Sequence, residues 1–249
     1  MLEVKIANSS EEKNLAYNLR YKVFCEELGY IDKDKFPDNL EKDDYDDLET
    51  TISLIAILDG TPVAAARLLT PNKKIAKQRS IDFGLPMENL FSLSCYKERG
   101  INVSEISRSS VLNDYRGKLN IMKLWKLAVH YSLANGMPHM CTCAGTETDC
   151  FEDAITITEI ARNKKLFHPW IYTKAKVNSI PSPTPLFRLY GNNPPGEEEI
   201  PQTLQLYIRL GLRFTGEPVY YPKFRMCTIP MNWDLKNISK PFKSFFEKS

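Results

Sequence analysis

Glu105 lies in the run Val103-Ser104-Glu105-Ile106-Ser107-Arg108-Ser109-Ser110-Val111, where an ionisable acid invites a chemical reading. Val103, Ile106, Val111 and Leu112 favour an extended, largely buried strand. A carboxylate and a guanidinium in such a strand are costly unless each is paired or used. Burial moves a glutamate toward neutrality, which makes Glu105 the best candidate in the chain for a general base. The strand then runs into Asn113-Asp114-Tyr115-Arg116-Gly117-Lys118, and a helix opens at about Lys118. A glycine within a basic turn at a helix start can hold a phosphate on free backbone N–H groups. Arg116, Gly117 and Lys118 are therefore a candidate cradle.

In a regular strand Glu105 and Arg108 point to opposite faces. Either a β-bulge brings them together, or they do separate jobs, Glu105 facing substrate and Arg108 anchoring acids elsewhere; the second is preferred. Arg67, in the apolar run from Pro62 to Leu69, likewise needs a carboxylate or phosphate partner. His139, Cys141 and Cys143 alternate and would share one face of a strand, with Cys150 nearby in sequence. Three ligands on one flat strand rarely close a tetrahedron, so no metal is expected and the thiols read as core. His130 and His168 read as structural, and no histidine shows a placed partner for a Cys-His nucleophile.

Glu105-Ile106-Ser107-Arg108 resembles the Glu-x-Ser-Arg signature of acyl-homoserine-lactone (autoinducer) synthases and of the related N-acyl amino acid synthases, both in the GNAT superfamily. Further motifs follow the same order. Arg20-Tyr21-Lys22-Val23-Phe24, then Leu28-Gly29-Tyr30, is similar to the Arg-x-x-Val-Phe…Leu-Gly-Trp opening, with Tyr30 for the usual Trp. Asp43, Asp46 and Asp47 resemble the paired aspartates that precede the next strand, in loose register. Arg67-Leu68-Leu69-Thr70-Pro71 is similar to Arg-Leu-Leu-Pro, and Leu210-Gly211-Leu212-Arg213-Phe214 to the closing Leu-Gly-x-x-Phe. Arg116-Gly117-Lys118 looks like a reduced form of the superfamily's glycine-rich phosphate loop.

The resemblance implies an α/β GNAT fold, a mixed central sheet flanked by helices. It implies one acyltransferase domain over 1–235, with an insertion at about 146–201, and a basic, aromatic tail over 236–249. The activity implied is N-acyl transfer: a fatty acyl group moves from acyl carrier protein, or acyl-CoA, to the amine of an amino acid or related small molecule. The alternatives are lactone synthesis from S-adenosylmethionine and, from another class, a non-catalytic acyl-carrier or lipid-binding protein. No cofactor would be held permanently; the donor is an acyl-phosphopantetheine. Arg20, Arg67 and Arg108 against the aspartates from 43 to 47 would form a buried charge cluster, with Phe24 and Tyr30 beside it. A bulge on the Glu105 strand, usual in the superfamily, could offer an N–H to the thioester carbonyl. The glycine-poor phosphate loop suits the single phosphodiester of a carrier protein somewhat better than CoA.

Composition is ordinary for a soluble globular protein. The 249 residues are 43% hydrophobic and 26% charged, with a formal net charge of +2, so nothing draws the chain as a whole to nucleic acid. Basic residues around the loop, Lys123 and Lys126 included, would suit an acidic carrier. The first residues lack the pattern of a signal peptide and no apolar run spans a bilayer, so a cytoplasmic location with six reduced cysteines is expected. Ser9-Ser10-Glu11-Glu12 opens a helix that should end near Gly29, and Lys33 to Glu49 reads as an acidic, mobile loop or lid. In that loop Asp38, Glu41 and Asp44 read as a solvated face. Asp59-Gly60 between apolar runs predicts a hairpin. Asn72 to Arg79 reads as exposed and basic, Leu85 to Arg99 as a helix, and Pro138 to Ala144 as a strand completing a βαβ unit. The tail, with Phe242, Phe245 and Phe246 among lysines, should dock on its own domain, weak membrane-surface contact being the alternative.

Overall fold

Alternating apolar residues make Leu2–Ile6 the first strand, β1. Ser9 then caps α1 (Ser10–Tyr21) through a capping box with Glu12. The helix does not run on unchanged toward Gly29. It widens into a π-helical turn, Lys22–Glu27, in which the Leu28 N–H donates to the Val23 carbonyl, and Gly29 ends it at φ +62°. The expected hairpin is β2 (Thr51–Leu58) and β3 (Thr61–Leu69), with Asp59 and Gly60 both at positive φ. Asn72 accepts from the Ile75 N–H and so caps α2 (Lys73–Arg79), a helix in a stretch that reads only as exposed and basic. The helix expected over 85–99 is absent. A 3₁₀ turn at Pro86–Asn89 and a single turn, α3 (Ser94–Lys97), stand there instead, an irregular path that buries Leu85, Met87, Phe91, Leu93 and Tyr96 together in one apolar cluster.

The computed structural model describes residues 1–117, 120–177, 184–190 and 200–247. Strand β4 (Val103–Val111) leads through a 3₁₀ turn to α4 (Asn120–Ala134) and parallel β5 (His139–Gly145), the βαβ unit expected. Then come α5 (Phe151–Asn163), α6 (Gln202–Leu210), β6 (Arg213–Phe214), β7 (Val219–Tyr221), β8 (Met226–Asp234) and α7 (Lys240–Glu247). The eight strands form one mixed sheet in the order β1-β2-β3-β4-β5-β8-β6, with β7 also paired to β8. Leu54 and Leu68 face α4, where Trp125 and Ala128 meet them; Ile55 and Ala65 face α1 on the other side. A third apolar cluster, with Tyr45, Leu69, Met87, Val103 and Cys141, surrounds the middle of β4.

Two features of β4 matter for the site. Its pairing with β3 jumps from Arg67↔Ser107 to Ala65↔Ser110, so Arg108 and Ser109 stand against Ala66 alone in a bulge, with Arg108 at φ +55°. Its pairing with β5 runs from Val103↔His139 to Glu105↔Cys141 and then stops. Beyond that point, among the described residues, β4 pairs only with β3 and β5 only with β8, so the sheet parts at Glu105.

Candidate active site

Glu105 sits opposite Leu69 on one side and Cys141 on the other, which aims its side chain into the third apolar cluster. It is 2% exposed and accepts one hydrogen bond, from the Met87 N–H at 2.8 Å. Burial pushes its carboxyl up to about 7, against the pull of the Met87 N–H and of the Arg67 and Arg108 charges. The donor to Glu105 thus comes from the irregular stretch that the sequence reads as a helix; in a helix the Met87 N–H would point along the axis.

The bulge turns Arg108 to the face that Glu105 occupies, and a charge network spreads from there. Arg108 donates to Glu41 Oε1 at 3.2 Å and to Asp43 Oδ2 at 2.9 Å. Arg20 donates from Nε to Glu41 at 2.6 Å and forms a two-pronged pair with Asp46 at 2.8 and 2.9 Å. Arg67 Nη1 reaches Asp43 at 2.6 Å and Asp46 at 3.0 Å, while its Nε donates to Ser107 Oγ. Lys223, on the turn between β7 and β8, lies 3.5 Å from Asp43. The surrounding arginines hold the carboxyls of Glu41, Asp43 and Asp46 below the usual carboxylate range despite burial. Phe24 packs edge-on against Phe224 with centroids 5.4 Å apart, and Phe224 carries the Arg108 guanidinium 4.5 Å above its ring.

Arg20, Phe24, Asp43, Asp46, Arg67, Glu105 and Arg108 are therefore brought together. Asp47 is not: its side chain is exposed, away from the arginines. Glu41, which reads as part of a solvated acidic face, is instead fully buried between Arg20 and Arg108. The acidic stretch is correspondingly no loose lid, since Glu41, Tyr45 and Asp46 are all buried in it. A glutamate two residues from aspartates in an aperiodic loop carries no sequence signal of its own; three arginines seeking partners were the one available hint.

Tyr30 and Arg116 belong to a neighbouring patch. Tyr30 meets Phe187 edge to face, 6.5 Å between centroids. Arg116 is engaged within the chain, donating to the Glu27 carboxylate, to the Val111 carbonyl and to Asn113 Oδ1. Gly117 is exposed at φ +77°, the left-handed conformation that opens backbone N–H groups outward. Lys118 lies outside the described residues. His139, Cys141 and Cys143 share a face as their alternation requires, and burial drives both thiols well above the usual range, so they are protonated packing groups at neutral pH.

Comparisons with known proteins agree with this architecture. Residues 19–126 match the acetyltransferase (GNAT) domain family. An L-ornithine N(alpha)-acyltransferase of Rhodobacter capsulatus is 32% identical over 145 residues, 53% of this chain and 52% of that protein. Its counterpart in Brucella abortus is 26% identical over 151 residues, 57% of this chain and 52% of the other. The chain thus spans about half the length of the curated relatives it matches. Among solved structures, the N-acyl amino acid synthase FeeM from uncultured soil microbes superposes with a TM-score of 0.62 at 10% identity, covering 98% of this chain and 97% of that one. The CoA-dependent acyl-homoserine lactone synthase BjaI gives 0.53 at 17% identity, over 99% and 87%. The bulged and parted β4, the mixed eight-stranded sheet and these matches lead to one conclusion: the chain has the GNAT fold, and residues 19–126 carry its match to the acetyltransferase (GNAT) domain family.

Proposed function

We propose that this protein is an N-acyltransferase that moves a fatty acyl group from an acyl-phosphopantetheine thioester to the amine of an amino acid or related small molecule. The observation that carries the reading is Glu105, a buried carboxyl raised to about 7 at the point where β4 and β5 separate. Such a group is half ionised near neutral pH and can take a proton from an incoming ammonium, directly or through one water. The neutral amine attacks the thioester carbonyl, the C–N bond forms and the C–S bond breaks. The second proton leaves nitrogen for the departing thiolate, giving amide and free thiol, and Glu105 passes the first proton to solvent, which regenerates the base. The bulge at Arg108 and Ser109 supplies backbone N–H groups beside the gap that can polarise the carbonyl, a contribution of about 3 kcal/mol per donor in comparable sites. A single phosphodiester at Gly117 fits an acyl carrier protein as donor, the form tested first.

Incubation with a long-chain acyl carrier protein or acyl-CoA and mixed amino acids, read by mass, should yield N-acyl amino acids. Glu105→Gln should lose roughly a hundred- to ten-thousand-fold in rate while still binding donor. A protein that binds donor and forms no amide with any amine would refute the reading.

A further inference from the structure

The charge network around Glu105 is not neutral. Arg20, Arg67, Arg108 and Lys223 are four cations, and Glu41, Asp43 and Asp46 are three carboxylates, which leaves one positive charge in surplus while Glu105 is protonated and none once it is ionised. Two of the cations are also under-used. Arg67 is 1% exposed, yet its Nη2 has no hydrogen-bond partner among the described residues. A buried guanidinium N–H left unmade is costly, more so than a neutral donor. Lys223 makes one long contact, 3.5 Å to Asp43, from a side chain one-third exposed.

The unfilled donor has a direction. Nε and Nη2 lie along one edge of a planar guanidinium, and in Arg67 the Nε reaches Ser107 of β4. Nη2 is therefore on the β4 side, on the sheet face that Ser107 shares with Glu105 two residues earlier. Asp43 ties the two cations to one locus, since Arg67 binds its Oδ1 and Lys223 its Oδ2. Burial, with the Arg108 charge, presses Lys223 toward losing its proton, and Asp43 and Glu41 oppose that pull.

We propose that Arg67 Nη2 and Lys223 Nζ seat the carboxylate of the acceptor, so that the acceptor is an α-amino acid rather than a simple amine. This rests on the acyl-transfer reading above and adds a substrate class and a specificity residue, Lys223. Arg67 supplies the buried prong and Lys223 the prong at the rim. The incoming carboxylate fills the open donor of Arg67 and gives Lys223 a second anionic contact, and its α-amine is thereby held toward Glu105.

The test compares acceptors in matched pairs, an amino acid and its α-carboxamide, with acyl carrier protein and CoA thioesters as donors. Wild-type kcat/KM should favour the acid by about thirtyfold or more, the scale of a charge-assisted contact. Lys223→Met should shrink that preference to about threefold, and Lys223→Arg should keep most of it. Unfolding of each variant checks that the fold persists. Carboxamides accepted as well as acids, or a preference that survives Lys223→Met intact, would overturn the carboxylate seat while leaving acyl transfer standing. Failure to acylate any amine from either donor would remove acyl transfer and the seat together.

Discussion

Glu105 has two pH dependences of opposite use. As a base it must be ionised, so kcat/KM for acyl transfer should rise with pH through an apparent value near 7 and level off above it. As a buried acid with a raised folded pKa it stabilises the protein in its protonated form. That stability is fully present below its unfolded value near 4.5 and is lost as pH climbs through about 7. Urea unfolding at pH 8 should therefore find Glu105→Gln more stable than wild type by a few kcal/mol at most, with the difference vanishing near pH 4. The sequence made this residue readable because an acid between Val103 and Ile106 has few uses. It made Arg20, Arg67 and Arg108 readable as partners-in-waiting. It did not single out Glu41 over Asp47, because which carboxylates of an aperiodic loop turn inward is decided by the loop's seating on the sheet. Lys223 was invisible for the same reason: its role depends on a turn 180 residues downstream of Asp43.

At the scale of elements, the stretch from α2 to α3 positions the hydrogen bond to Glu105, and Gly84 is its tightest point. Gly84 has φ +75°, and a Cβ there would stand 2.3 Å from the Asn72 carbonyl oxygen. Gly84→Ala should cost about 3 kcal/mol or more, strain and collision combined, whereas Gly100→Ala, at φ +63° with open space, should cost roughly 1 kcal/mol. Denaturant midpoints measure both. Gly84→Ala should also raise the apparent pKa of acyl transfer, because it displaces the Met87 N–H that draws Glu105 downward. The Asp59-Gly60 hairpin and the βαβ unit were legible from turn residues and periodicity, signals that act within a few positions. The span 85–99 was not, because Leu85, Leu93 and Tyr96 mimic helical spacing while an irregular path carries them into one cluster. The bulge at Arg108 likewise left two arrangements open, and both descriptions hold: Arg108 shares the face of Glu105 and anchors the acids.

Across the whole molecule, α7 closes the core on the α4 face. Phe246 is buried edge-on against Trp233, and its carbonyl meets His130 Nε2. Phe246→Ala should lower stability by about 3–5 kcal/mol in calorimetry, and Phe245→Ala, a partly buried neighbour, by clearly less. A mixture of lysines and phenylalanines does not itself say whether its apolar face meets a lipid surface or its own domain; the answer lay in Trp233 and Val129, distant in sequence.

The network of Arg20, Glu41, Asp43, Asp46, Arg67, Arg108 and Lys223 draws on five separate stretches of chain. The Arg108 and Lys223 pairs join stretches far apart in the chain, so they are expected to lock after the rate-limiting step of folding, whereas Arg20 and Arg67 meet their carboxylates within 26 residues. Damage to its long-range part, as in Arg108→Ala, should then leave the refolding rate almost untouched and appear as faster unfolding. The same groups that prepare the site for its substrate would set how long a folded copy lasts.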